Sequence, residues 1–358
     1  MRGEVIYLYA FDVANEIATS RVGEVLSCQC FSYEIKTDHT YPKDVPLYRP
    51  LTFEPPDVAE RFRGQAIRLV IRIFEVGVVN VAMHVCFEVA TLAELQAYHK
   101  TELESGQTRD GLARRLCKQV CESIQDAIVR GSDPSEPEAY TVFCLTDLGA
   151  ETDAHAWFRQ NRREIAGLLS EAPAESLSDL QVDESVRIHR SFGKADLAVI
   201  DWDASLVVEL DGFADDVLYI LELANLQLEE FRVMDRRLDT HLDRAYHDLE
   251  RPRSFFGIPT SVHNWLRRFR VDASKLADEV THITKFLGDW HLARIYLGAA
   301  ERFHLHEWQK SIADRLAQLD QVYQVLQSEV YERRMLWLEI AILVCFLIDL
   351  AALFFWKR

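Results

Sequence analysis

Residues 214–250 run without a glycine or a proline. Across them Leu218, Leu221, Ala224, Leu228, Phe231, Leu238 and Leu242 recur every three to four residues. That spacing, with both helix breakers missing, predicts one long amphipathic helix. Pro252, Gly257 and Pro259 end it, and a shorter helix is expected over about 272–287. Gly288-Asp289 offers a break and a cap before a further helix starting near Trp290. In that helix Leu305, Trp308, Ile312, Leu316, Leu319, Val322 or Tyr323, Leu326 and Val330 form one apolar stripe, long enough for a coiled coil.

Ahead of Gly212 the period is two. In "AIRLVIRIFEVG" the residues Ile67, Leu69, Ile71 and Ile73 fall on one face. In "VVNVAMHVCFEV" Val79, Val81, Met83, Val85 and Phe87 do the same, and Gly77 lies between the two runs. The pair reads as a β-hairpin. "EVIYLYAFD", "VLSCQCFSYEI" and "YTVFCLTD" read as further strands, and "KADLAVIDWDASLVVEL" as a second hairpin. Helices are expected near 91–100, over 110–130 and through "ETDAHAWFRQNRREIAGLL"; prolines between 42 and 56 and the segment 131–139 read as loops. The expected organisation is an α+β domain with antiparallel strand pairs over 1–210, a helical, coiled-coil domain over 211–334, and one transmembrane helix over 335–356.

The last of these rests on "MLWLEIAILVCFLIDLAALFFWKR", whose 22 positions from Met335 to Trp356 carry only two charges, Glu339 and Asp349. A membrane span needs about 20 apolar residues. Trp337 and Trp356 stand near the two ends, as interfacial aromatics do, and Arg333-Arg334 and Lys357-Arg358 flank them. Ten residues of helix is about 1000°, so the two acids project roughly 80° apart and share one broad face, a candidate helix–helix interface. No Gly or Pro separates the stripe from this tail, and a helix from Trp290 to Trp356 would be roughly 100 Å long. The opening "MRGEVIYLYAFDVANEI" has no leader pattern. Together these predict a lipid bilayer as partner and a single-pass C-terminal anchor. The bulk of the protein is then cytoplasmic, on a bacterial inner membrane or, in a eukaryote, on the mitochondrial inner membrane.

The last ~70 residues resemble the family named for "required for meiotic nuclear division". The resemblance is carried by "DWHLARIYLGAAERFHL", by "IADRLAQLDQVYQVLQSEVYERR", and by "LEIAILVCFLID", where Leu338-Glu339 opens the run and Asp349 follows ten residues later. Where that family tends to have paired arginines and an asparagine, this chain has Glu307, Trp308 and Ala313, the mark of a divergent member. The resemblance implies a membrane-anchored, oligomeric protein with no established catalytic residue.

Chemistry leaves few traces. The chain has 358 residues and a formal charge of −17, which disfavours nucleic acid as a partner. Its seven cysteines do not space as a disulfide framework, so a reducing compartment is expected. No phosphate-loop, dinucleotide, zinc-protease or nucleophile-elbow motif is present. Cys28 and Cys30 alternate across a presumed strand. Cys117 and Cys121 share a helix face, but two thiols fall short of the four ligands of a structural zinc site. No cofactor, metal or catalytic residue is therefore assigned. The stretch "PRSFFGIPTSVHNWLRRFR" inverts the local charge: Arg253, Arg267, Arg268 and Arg270 stand among aromatics with no acid, a patch for an anionic partner or a set of arginines paired with acids. The expected function is a membrane-anchored, homo-oligomeric scaffold or tether that presents its α+β domain to the cytoplasmic side, with a protein partner of unknown identity. The alternative is an enzyme or ligand-binding protein with its site in the N-terminal domain, where His84, His99, His155 and His189 are the candidates.

Overall fold

The computed structural model describes residues 1–26, 30–32, 50–55, 59–132, 136–212, 214–250, 260–286 and 289–356. The chain forms two compact units, one from Met1–Val233 with Glu279–His306, the other from Met234–Asp278 with Glu307–Arg358.

The first unit contains all the described strands: β1 (Arg2–Asp12), β2 (Ala14–Ile17), β3 (Phe31–Ser32), β4 (Leu51–Phe53), β5 (Arg61–Phe62), β6 (Gln65–Ala66), β7 (Arg68–Ile73), β8 (Val78–Glu88), β9 (Ile128–Gly131), β10 (Glu138–Asp147), β11 (Ile188–Arg190), β12 (Asp196–Ile200) and β13 (Ala204–Glu209). Nine of them make one sheet in the order β11-β12-β13-β10-β1-β8-β7-β4-β3. Its neighbours run antiparallel except β10 and β13, which are parallel. The small helices are α1 (Thr19–Val25), α2 (Leu92–Leu95), α3 (Arg109–Ser123), α4 (Ala154–Gln160), α5 (Arg162–Leu169) and α6 (Asp179–Ser185). The long ones are α7 (Ala214–Glu250), α8 (Thr260–Phe286), α9 (Trp290–Arg302) and α10 (Leu305–Trp356).

Alternation sorts the sheet into two faces. Val5, Tyr7, Tyr9 and Phe11 of β1 join Leu69, Ile71 and Ile73 and all five of the odd-numbered apolar residues from Val79 to Phe87 in one buried cluster. Leu112, Leu116 and Val120 of α3 and Ile165, Leu168 and Leu169 of α5 close that cluster. The hairpin is thus the one the spacing predicts, turning at Gly77 with φ +95°. A Cβ at Gly77 would collide with the Ala14 carbonyl oxygen.

The opposite face is covered by the first half of α7, and there every residue from Val217 to Phe231 is buried. The stripe read from the sequence is therefore incomplete, because this part of the helix is enclosed all round, polar side chains included. Glu222 is 1% exposed. It accepts hydrogen bonds from Arg72 on β7 and Asn80 on β8, both short. The Asn225 amide donates to the Glu138 carbonyl at 3.3 Å, and Arg232 pairs with the Glu138 carboxylate. Gln227 accepts from the Tyr296 hydroxyl of α9 at 2.6 Å.

Several expected elements have different bounds. The helix expected over 110–130 stops at Ser123, because residues 128–131 pair with β2 as strand β9. The helix expected from Glu151 onward breaks at Asn161, whose side chain turns back to the Trp157 carbonyl at 2.8 Å. Among the described residues of the strand expected near Cys30, Phe31–Ser32 is strand; residues 19–25 are helix, and Cys28 lies outside the described residues, as do the prolines at 42 and 46 and residues 251–259. The helix expected from Trp290 is two helices. His304 takes φ +54° between them, while Phe303 packs edge-on against Tyr140 at 5.1 Å and Arg302 pairs with Asp201.

In the second unit, Leu238, Leu242 and Ala245 of α7, Leu266, Phe269 and Leu276 of α8, and Ile312, Leu316, Leu319 and Tyr323 of α10 are buried. Arg315 bridges Asp235 at 2.8 Å and Asp239 at 2.6 Å. His241 stacks on Trp265 at 3.6 Å between ring centroids.

The expected transmembrane helix is corrected here. Among the described residues no helix is long and apolar enough to cross a membrane. Glu339 and Asp349 divide the tail, leaving nine uncharged residues between them, about 14 Å of helix against a hydrocarbon core of about 30 Å. The tail anchor, the bilayer as partner and the bacterial or mitochondrial inner-membrane location lose the span on which they rested.

Two substitutions test this fold. Gly77→Ala forces a side chain into a left-handed turn against backbone and lowers stability by at least about 2 kcal/mol, read as a shift of the urea midpoint. Glu222→Ala removes the carboxylate that Arg72 pairs with in the interior and costs about 3–5 kcal/mol, whereas Glu222→Leu combined with Arg72→Met costs far less than the sum of the single changes.

Candidate functional site

The four histidines of the N-terminal domain do not converge on one site. His84 sits on the α7-covered face, its Nδ1 3.1 Å from a Glu4 carboxylate oxygen and 3.2 Å from Arg68. Burial pushes the Glu4 carboxyl up, but His84 and Arg68 outweigh it and hold the group below the usual carboxylate range. His99 lies on the other side of the sheet, packed edge-on against Phe143. Its Nε2 is 2.8 Å from the Leu168 carbonyl and its Nδ1 3.1 Å from Glu171. Burial lowers its pKa and outweighs the raising effect of Glu171, so the ring favours the neutral form. His155 and His189 alone share a neighbourhood: their rings flank Phe158 at 6.2 and 4.8 Å, and His189 Nδ1 lies 3.0 Å from the Val186 carbonyl. Each of these four rings is engaged in packing or with a backbone or side-chain neighbour.

Residues that spacing did not single out hold the most ordered polar geometry. Arg109, 5% exposed, lies with its guanidinium 3.5 Å from the centre of the Tyr7 ring and donates to the carbonyls of Tyr98 and His99 at 3.3 and 3.1 Å. The Tyr7 hydroxyl donates to the same Tyr98 carbonyl at 2.7 Å. This cation–π contact ties the start of α3 to β1. The signal in the sequence was an arginine at the head of an apolar helix face, and for Glu222, Arg72 and Asn80 a polar residue inside an apolar run. Both groups are enclosed, which suits them to holding the fold.

The cysteine pair is only half enclosed, Cys121 being partly exposed. Cys117 is buried, and its neighbour Cys121 together with burial pushes its thiol up. Among the described residues no group of three or more His, Cys, Asp or Glu side chains is placed to hold a metal ion. Of the basic patch, Arg253 lies outside the described residues, Arg267 and Arg268 are exposed, and Arg270 pairs with Asp320 of α10. One arginine of the patch is thus matched within its own unit.

The remaining candidates stand on α10. Every residue from 334 to 349 is exposed, including Trp337, Glu339 and Asp349; the Trp356 side chain lies outside the described residues. Of the 22 exposed large hydrophobic side chains among the described residues, 11 lie between Met335 and Ile348. An apolar surface of this kind, presented around the whole circumference of a helix, is chemically suited to covering by other apolar groups. Trp337 and the two acids share the segment with that surface.

Known proteins match the other end of the chain. The family model described as "Uncharacterized protein MJ0711, N-terminal domain" matches residues 2–215. The uncharacterised protein MJ0711 of Methanocaldococcus jannaschii is 20% identical over 213 residues, 60% of this chain. The chain spans 65% of that relative's length. No solved structure matches it significantly. The resemblance to the meiotic-nuclear-division family is thereby corrected. It was drawn from the C-terminal helices, whose apolar periodicity many amphipathic helices share, whereas the match lies in the strand-bearing region. With more than half of its length matched, the chain belongs to the family of the MJ0711 N-terminal domain.

Proposed function

We propose that the protein is a non-enzymatic scaffold that associates with further copies of itself through the apolar segment of α10, and so gathers its α+β units. The observation that carries this reading is the exposure of residues 334–349 on a helix whose earlier turns bury Ile312, Leu316, Leu319 and Tyr323. Elsewhere the exposed large hydrophobics are scattered, as at Leu180, Phe192, Val271 and Trp290. Among the described residues the surface best matched to that segment is the same segment of a second copy. Pairing of like with like closes on a two-fold axis and needs no further component.

Analytical ultracentrifugation of the full chain tests the reading. The wild type sediments as a dimer or larger assembly at micromolar concentration, and Ile342→Glu with Phe346→Glu, on one helix face, sediments as a monomer with unchanged helix content. A monomeric wild type overturns the scaffold, as does a wild type that binds lipid vesicles without associating with itself.

A further inference from the structure

Glu339 and Asp349 bracket the nine uncharged residues of the segment symmetrically, with Val344 at the centre. That symmetry constrains any two-fold pairing of α10 with itself. In a parallel pair in register, Glu339 stands level with Glu339 of the other copy and Asp349 with Asp349. In an antiparallel pair centred on Val344, Glu339 of each copy stands level with Asp349 of the other. Both arrangements that overlap the apolar stretch fully therefore bring acid to acid. The two positions project about 80° apart on the helix, close enough for one face to carry both into the contact.

We propose, resting on the scaffold reading above, that self-association through α10 is gated by protons: each level pair of carboxyl groups holds one proton when the helices pair. Two carboxylates brought together away from water cannot both stay ionised, and a proton shared between them turns repulsion into a hydrogen bond. Each dimer has two such pairs in either orientation, so assembly takes up two protons. Among the described residues no other element covers the carboxylates, since every residue from 334 to 349 is exposed. The charged groups near them in the sequence are Glu332, Arg333 and Arg334 before the segment and Lys357 and Arg358 after it. In the antiparallel pair Arg334 stands level with residue 354 of the other copy, five residues beyond Asp349, too far along the axis to face either acid directly.

Sedimentation equilibrium of the full chain between pH 8 and pH 6 is the test, with Glu339→Gln/Asp349→Asn as the companion variant and circular dichroism to check its helix content. The wild-type association constant rises as pH falls, by roughly 10- to 100-fold per pH unit, the upper value being full uptake of two protons. The variant associates at pH 8 as tightly as the wild type does at pH 6. The fall in overall charge with pH is nearly the same in both proteins, so only the difference between them reports on these acids. Wild-type association that is independent of pH, or weaker at low pH, overturns the gating and leaves the scaffold standing. Equal pH dependence in wild type and variant also overturns it, because other groups would then be titrating. Absence of association in both proteins at every pH overturns the scaffold reading and the gating with it.

Discussion

A glutamate that is 1% exposed holds its charge only with partners at hand, and Glu222 sets the geometry of the first unit on that condition. Arg72 and Asn80 reach it from two adjacent strands, β7 and β8, and so fix where α7 crosses the sheet. Less than a turn further on, Asn225 meets the Glu138 carbonyl on β10, and later Arg232 meets the Glu138 carboxylate. Gln227 then receives the Tyr296 hydroxyl, which ties α9 to the same helix. Each contact presupposes the register set by the one before it. An apolar helix of similar shape has many near-equivalent ways to lie on a sheet; a helix with a buried carboxylate has few.

The two faces of the sheet are held by different physics. On the face closed by α3 and α5, burial of aliphatic and aromatic side chains dominates, and the cation–π contact of Arg109 with Tyr7 supplies direction. On the face under α7 the polar residues decide the fit. The second unit uses a third arrangement: an apolar seam flanked by ion pairs, as at Arg315 with Asp235 and Asp239. Exposed pairs of that kind contribute little each, so the seam of Leu238, Leu242, Leu316 and Leu319 does most of the stabilising.

Much of the strand pattern was legible because a half-buried strand writes its environment into every second residue. The hairpin through Gly77 is the clearest instance, since all its odd-numbered apolar positions entered the cluster the alternation assigns to them. The parallel pairing of β10 with β13 was not legible; it depends on five intervening elements folding back first. The break at His304 was hidden for a similar reason. Nothing near it in sequence stops a helix, and the turn is imposed by Phe303 and Arg302 meeting Tyr140 and Asp201. Of the candidate site residues, the sequence singled out Trp337, Glu339 and Asp349 by composition. Their shared segment is exposed, and among the described residues no helix is long and apolar enough to be the expected span.

By itself the sequence determined the order of strand-rich and helical regions, the apolar face of the hairpin and the long helices that dominate the described residues past Ala214. These follow from local periodicity and from where glycine and proline fall, which need no knowledge of distant residues. Tertiary structure alone decided which polar residues are buried. Glu222, Arg72 and Asn80 are separated by as many as 150 positions and look like ordinary surface groups until the fold brings them together. The same holds for the four histidines of the N-terminal domain: the fold sets His84 and His99 on opposite sides of the sheet and brings only His155 and His189 to a common neighbour, Phe158. A charge pattern along a chain constrains a helix; only packing tells a charge what it will face.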